Sequence, residues 1–540
     1  MNSVASLGTY DYVIVGGGTA GCLLANRLSE DPTLTVLLLE AGGRDDYFWI
    51  HVPVGYLYCM NNPRTDWCFK TEVEPGLGNR AINYARGKVL GGCSSINGMI
   101  YMRGQSRDYD HWRQLSNAGW GWDDVLPYFK RHEDFVHGAD DLHGAGGEWR
   151  IEEQRLHWPI LDAFRDAAVA VGIPATKDFN RGDNAGIGYF QVTQRRGVRV
   201  NTAKAFLRPA RRRPNLRIIV RAQAKRLLLE GRRAVGVEVR VDGRDAQTAA
   251  RGEVILAAGS IGSPHLLELS GVGQPQRLHD LGIEVLAESP GVGENLQDHL
   301  QLRLIYKVSK ALTLNQVAAT IRGKAGIALE YLLKRSGPMS MAPSQLGAFA
   351  KSDPALETPD LQYHVQPLSL DRFGEPLHPF PAITASVCNL RPESRGSSHA
   401  TSPDFAAAPS IRPNYLATAR DRRVAAAAIR LTRRIMAAPP MRPHAPEEFL
   451  PGAARDGEDD LARAAGEIGT TIFHPIGTAK MGSDAGAVVD ERLRVRGIER
   501  LRVIDASIMP SITSGNTNAP TLMIAEKGAA MLREDRRRSA

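Results

Sequence analysis

Residues 11–40 prescribe a strand, a glycine turn, a helix and a second strand, and few folds accept that order. Residues 12–15 (Tyr-Val-Ile-Val) form a buried-strand pattern, residues 20–28 a helical one, and residues 36–39 a second apolar strand running into Glu40. Each part of the turn Gly16-Gly-Gly-Thr-Ala-Gly21 has a task in a dinucleotide-binding unit. Gly16 allows the tight turn, Gly18 lets backbone approach a pyrophosphate, and Gly21 lets helix and strand pack closely. The first helical turn directs free N–H groups and a positive dipole end at phosphate. Glu40 can accept hydrogen bonds from ribose hydroxyls, and its charge disfavours a 2′-phosphate, so NADP is not expected. The pattern alone does not separate FAD from NAD.

The 540 residues, 43% of them hydrophobic, suffice for a large core and imply two or more folding units. No run of apolar residues is long enough for a transmembrane helix, and residues 1–10 lack the basic start and apolar stretch of a secretory signal. Five cysteines without a C-x-x-C pair indicate neither a zinc knuckle nor a disulfide framework; reduced thiols in a cytoplasm are expected. A peripheral membrane association is left open. The net charge of +8 gathers in residues 208–217 and 533–538. No aromatics interleave with those arginines, so they read as a solvated surface rather than a nucleic-acid site.

Strand-like runs recur at 216–220, 234–239, 253–257 and 500–504. They lie far from the first unit in sequence, so the cofactor domain is expected to be discontinuous. Residues 305–465 differ in character: 315–334 and 419–436 show helical periodicity with basic faces, and 361–365 and 383–387 look like strands. Most of a second, substrate-facing domain is expected here.

Four further stretches stand out, of which 259–273 by itself is structural. Residues 86–104 hold five glycines among apolar residues and can wrap a planar ligand with backbone N–H groups. Residues 259–273 read as a helix with Ser263 as N-cap, Pro264 at the first helical position and Gly271 at the end. His474 sits in an apolar neighbourhood before a proline, and Asn516 and Asn518 precede a helix over 521–532 whose N-terminus could face an anionic flavin.

Together these motifs resemble the glucose–methanol–choline (GMC) oxidoreductases along nearly the whole chain, closest in texture to their choline and alcohol dehydrogenases. The resemblance implies an α/β fold with an α+β second domain. The first part would be a Rossmann-like FAD-binding domain of the p-hydroxybenzoate-hydroxylase type, the second a substrate domain built on an antiparallel sheet. It implies an N-terminal FAD part over 8–303, with the FAD domain itself spread over about 8–45, 67–108, 215–303 and 466–535. Residues 304–465 would be mainly substrate-binding, and a C-terminal part over 390–529 would carry the histidine.

Residue by residue, His474 matches the catalytic histidine and Asn518 the second catalytic position. Asn97, Gly98 and Met99 match the loop passing the flavin ring, with Ile100 a further cofactor contact, and Ala224 the backbone that holds adenine. Gly16, Gly18, Thr19, Ala20, Gly21, Glu40 and Ala41 would contact the cofactor in the first motif, and Trp67, Arg86, Val89, Gly91 and Gly92 in the second. Ala258, Gly259, Asp505, Ala506, Asn516, Thr517 and Asn518 complete the set. Ile472 and Phe473 would face substrate with His474 and Asn518; Tyr101 and Trp67 are further wall candidates. Members with covalent flavin carry histidine where this chain has Ile96, so non-covalent FAD is implied.

The implied reaction moves a hydride from an alcohol carbon to flavin N5 while His474 takes the hydroxyl proton, an imidazole being neutral and basic near neutral pH. A primary aliphatic or aromatic alcohol is favoured over choline. The electron acceptor would be a quinone, a dye-like acceptor or O2, with a dehydrogenase favoured over a peroxide-producing oxidase. Hydroxynitrile lyase and fatty-acid photodecarboxylase are the other reactions on this scaffold, the second opposed by His474. The protein is expected to be a monomer or homodimer.

Overall fold

In a computed structural model, which describes residues 5–372 and 374–539, the chain builds two seven-stranded sheets. The first runs in the order Leu216–Ile219, Val36–Leu39, Ala5–Val15, Arg244–Leu256, Arg233–Val241, Ala222–Glu230, with Leu501–Val503 also pairing with Arg244–Leu256. Its left half and Leu501–Val503 are parallel; the 222–256 meander is antiparallel. Val13, Ile14, Leu37, Leu38, Val254 and Ile255 are fully buried, as expected of parallel strands covered on both faces. The helix Thr19–Leu28 has no polar face: every residue from Ala20 to Leu28 is buried, and it packs against the C-terminal helix Asn518–Ser539. The buried Arg27 joins the two helices by bonding Glu526 through Nε and Nη2.

The second sheet is antiparallel, in the order Glu447–Leu450, Leu300–Lys307, Ala382–Asn389, Leu361–Gln366, Leu346–Ala350, Gly186–Tyr189, with Gly469–Thr471 pairing with Leu300–Lys307. Side chains alternate across its faces. Leu361, Tyr363 and Val365 join an apolar core with Leu300, Leu302 and Leu304. The helix Ala419–Ala437 covers that core with Val424, Ala428, Ile429, Leu431 and Ile435 and leaves Arg420, Arg422 and Arg423 exposed. The opposite register, Gln301, His364 and Gln366, lines a cavity between the two sheets.

Two local expectations need correction. The helix expected over 315–334 is two, Leu314–Val317 and Ile321–Lys334, because Thr320 turns out of the first and its hydroxyl accepts the Gly323 N–H to start the second. The helix expected from Ser263 begins at Gly259. The Asp505 carboxylate accepts the Gly259 N–H (2.8 Å) and the Ser263 hydroxyl (2.6 Å), so Ser263 bonds inward from the helix body rather than capping its start.

Candidate active site

The cavity, of about 580 Å³, lies beyond the C-terminal ends of the parallel strands: Val15, Leu39, Ala257 and Asp505 all border it. That is where open α/β sheets place ligands. The glycine turn shapes its floor. Gly16 has φ +106°, and a Cβ there would stand 2.5 Å from the Ala257 carbonyl oxygen; a Cβ on Gly21 would stand 1.8 Å from the Gly16 oxygen. A Cβ on Gly18 would instead make only ordinary contact, with Gly92 Cα at 3.9 Å and the Ala257 oxygen at 4.0 Å, so nothing in the protein itself crowds that position. The helix that follows has no side-chain cap, so its first N–H groups remain available to an anion. This donor set fits the pyrophosphate of a dinucleotide.

Glu40 borders the same region. Its carboxylate accepts the Gly17 N–H (2.8 Å) and the Gly42 N–H (2.7 Å), which fixes the turn. Burial pushes its pKa up to about 7 against the pull of those two N–H groups. Ala222, Gln223 and Ala224 and the segment 405–409 line the cavity too, so the expected adenine wall has a facing partner that the sequence did not suggest.

The loop 97–99 is held from behind by Arg199. This guanidinium is buried and donates to Asn97 Oδ1 (2.8 Å) and the Asn97 carbonyl (2.7 Å). Burial lowers its pKa to about 10. Met99 adopts φ +61° at the end of the loop. Ile96 lines the cavity and carries no nucleophile. Of the other cofactor candidates, Thr19, Ala20, Ala41, Trp67, Arg86, Gly92, Gly98, Ile100, Ala258, Gly259, Ala506, Asn516 and Thr517 also border the cavity. Gly21, Val89 and Gly91 do not: Gly21 packs on Gly16, Val89 bridges Gly43, and the Gly91 N–H bonds the Gly17 carbonyl. These three shape the turn from outside. Tyr101 is likewise not a wall residue; it is buried behind the loop, where its hydroxyl accepts from Arg103 (3.1 Å).

His474 is set by its backbone. The Asp298 carboxylate accepts the His474 N–H (2.7 Å) and the hydroxyls of Thr471 (2.6 Å) and Tyr84 (2.9 Å). Thr471 Oγ1 accepts the Phe473 N–H, and Arg86 donates to the Phe473 carbonyl. These contacts hold Phe473 at φ +67°, a conformation that a bulky residue keeps only when its surroundings impose it.

The proton positions on the imidazoles follow from their neighbours. His299 Nε2 faces the Leu390 carbonyl at 3.1 Å, which can only accept, so this nitrogen carries the hydrogen. Burial lowers the His299 pKa to about 4, so the ring is neutral and its Nδ1 is a bare acceptor. His474 Nδ1, 3.1 Å away, must then be the donor. The lone pair of His474 is left on Nε2, at the cavity, where it accepts from Asn516 Nδ2 at 3.0 Å. Burial, and after it His299, His364 and Arg86, hold the His474 pKa well below the usual histidine value.

The residue beside His474 is therefore Asn516, not Asn518. Asn518 opens the C-terminal helix, and its Oδ1 accepts from the Thr19 hydroxyl at 2.8 Å, tying the two helix starts together. The Asn516 Oδ1 accepts from Gln362 (3.2 Å). The sequence reading also missed the sheet's contribution. Gln301, Ser344, His364 and Gln366 line this end of the cavity, and His364 Nε2 and Gln366 Oε1 have no hydrogen-bond partner among the described residues. Polar alternation in 362–366 was a usable signal for them.

Family models described as GMC oxidoreductase match residues 10–301 and 392–525. The chain is 40% identical to "Alcohol dehydrogenase [acceptor]" of Pseudomonas putida over 97% of its length and 95% of that protein's. It is 40% identical to "Oxygen-dependent choline dehydrogenase" of Photobacterium profundum (96% and 92% covered). Among solved structures, pyridoxine 4-oxidase from Mesorbium loti superposes with a TM-score of 0.89 at 32% identity, covering 97% of this chain and 99% of that one. Formate oxidase from Aspergillus oryzae RIB40, solved in a study of FAD modification, superposes with 0.92 at 27% identity, covering 99% and 100%. The bare imidazole nitrogen over a dinucleotide cavity thus sits in a chain that belongs to the GMC oxidoreductase family.

Proposed function

We propose that this FAD enzyme oxidises a neutral primary alcohol to the aldehyde, with His474 as the base and Asn516 as its partner. The observation that carries the reading is the fixed tautomer of His474, whose unprotonated Nε2 faces the cavity. When bound, FAD supplies the acceptor for the hydride that leaves the alcohol carbon. His474 Nε2 takes the hydroxyl proton, and its depressed pKa keeps it unprotonated at neutral pH. Asn516 Nδ2 donates to the alcohol oxygen that displaces it from His474 and so orients the carbon. His364 Nε2 and Gln366 Oε1 are free to meet polar atoms of the substrate. Ile96 leaves the flavin held non-covalently.

Choline is disfavoured, although several relatives are named choline dehydrogenases. Among the described residues, the carboxylates lining the cavity are Glu40 and Asp505, and both are bonded to backbone or hydroxyl donors away from His474. No carboxylate stands at the substrate end to balance a quaternary ammonium. A non-O2 acceptor is favoured, in line with the relative named for an unspecified acceptor. Anaerobic mixing with a panel of alcohols, choline included, tests the reading through loss of flavin absorbance. Bleaching by choline alone, or by no alcohol, would refute it. Peroxide yield under air separates oxidase from dehydrogenase.

A further inference from the structure

The helix Ile321–Lys334 is turned the wrong way for a surface helix. An ordinary one hides its apolar stripe and shows its polar face, as Ala419–Ala437 does here. In Ile321–Lys334 the only fully buried residue is Tyr331, whose hydroxyl donates to the Gly197 carbonyl at 3.0 Å. Four of its five large aliphatic side chains face solvent: Ile321 is 87% exposed, Leu329 57%, Leu332 67% and Leu333 73%; the fifth, Ile327, packs partly buried on the core of the second sheet. With Ala325 and Ala328 the exposed four fill one stripe of about 140°. Leu312, ahead of the short helix Leu314–Val317, is exposed as well.

The rim of this stripe is cationic. Residues 310–335 carry Lys310, Arg322, Lys324, Lys334 and Arg335 against a single acid, Glu330, whose carboxylate accepts from the Ser336 hydroxyl. All five cations are exposed and none forms an ion pair among the described residues; Arg335 lies over the Tyr331 ring at 5.0 Å. Exposed aliphatics with lysine and arginine around them that no carboxylate neutralises match the boundary between lipid headgroups and acyl chains.

We infer that Ile321–Lys334 is an interfacial anchor that docks this protein on an anionic phospholipid bilayer. No helix among the described residues is long and apolar enough to cross a membrane, so the contact is a helix lying on the surface. A second copy fits the stripe less well. A two-fold contact puts the same patch on both partners and would set cationic rim against cationic rim. The helix also leads through Gly337 and Pro338–Ser340 into Pro343 and Ser344, which border the cavity near His364 and Gln366. Docking therefore sets the substrate end beside the lipid, where an alcohol or acceptor carried in the bilayer would arrive. This last consequence rests on the alcohol-oxidation reading; the docking does not.

Co-sedimentation of the FAD-loaded protein with vesicles tests it without reference to activity. Phosphatidylcholine vesicles containing phosphatidylglycerol should bind it, and phosphatidylcholine alone should bind it far more weakly. The triple variant Leu329→Gln/Leu332→Gln/Leu333→Gln should lose at least about a hundredfold in partitioning. Arg322→Gln with Lys324→Gln should lose about fivefold per charge, with the wild type weakening as salt rises. Both variants should keep dye-linked turnover in solution, since the side chains they change contact solvent. Absence of binding to the anionic vesicles, or equal binding by the triple variant, overturns the inference. So does sedimentation equilibrium showing a wild-type dimer that the triple variant abolishes, if vesicle binding is absent.

Discussion

Replacing His299 by leucine tests the tautomer relay, because His299 is never in reach of substrate yet decides which nitrogen of His474 carries a hydrogen. Leucine keeps roughly the volume of the ring and offers no acceptor. The His474 Nδ1–H, now 3.1 Å from nothing polar, would be a buried donor without a partner, at a cost of about 1–3 kcal/mol. The other tautomer, with its hydrogen on Nε2, escapes that cost but cannot act as base. The productive population should fall accordingly, and the limiting rate of flavin reduction by alcohol should drop about 10–100-fold. His299→Gln should restore most of it, because its amide can donate to the Leu390 carbonyl and accept from His474. Anaerobic stopped-flow at 450 nm reads the rate; substrate affinity should change little. Flavin content and melting temperature check that each variant is folded. A leucine variant that is folded, flavin-loaded and within twofold of wild type would refute the relay.

Other expectations follow from the same geometry. His474→Ala should slow flavin reduction by about 10²–10⁴ with FAD still bound, measured in the same apparatus. Asn516→Ala should slow it by about 10-fold or more, whereas Asn518→Ala should leave it near wild type and lower the melting temperature, since Asn518 ties Thr19 to the C-terminal helix. Because the His474 pKa lies well below the usual value, the reduction rate should stay level from pH 8 down through 6.5 and fall only in stronger acid.

Stability should fall in acid too. Burial pushes His299 and His265 down to about 4 and His364 and His132 down to about 3. Above pH 6.5 neither state binds these protons. Below it only the unfolded chain does, so each ring removes about 1.4 kcal/mol per pH unit. His143 and His399, raised against burial by their carboxylate partners, oppose part of this loss. Urea melts between pH 7 and 5 read the slope, and a midpoint rising in acid would contradict it.

What could be read without coordinates was whatever short-range spacing dictates. The turn at Gly16 to Gly21 could be read because a strand, a close helix and a phosphate approach each forbid a Cβ within a few residues. The strands at 36–39, 216–219 and 501–503 were visible as mostly apolar runs: 36–39, covered on both faces, has no polar residue, while 216–219 at the sheet edge and 501–503 each carry one arginine, Arg217 and Arg502. His474 stood out through its Pro475 neighbour and its family motif. The second sheet was only half visible: 361–365 and 383–387 read as strands, while 300–307 and 346–350 did not, and the polar face that closes the cavity went unread.

Which asparagine meets the histidine was decided only in three dimensions. Asn516 and Asn518 differ by two positions, and the choice depends on where the helix begins; the first turn took Asn518, leaving Asn516 free in the bend before it. The partner of His474, His299, lies 175 residues away, and its tautomer depends on a carbonyl from yet another strand end. The amino-acid sequence by itself determined the folding units and the chemistry available to them, because propensity, patterning and turn geometry act over a few residues. Only the tertiary structure decided which nitrogen is the base and which helix faces outward, because hydrogen-bond partners and burial are set by segments far apart along the chain.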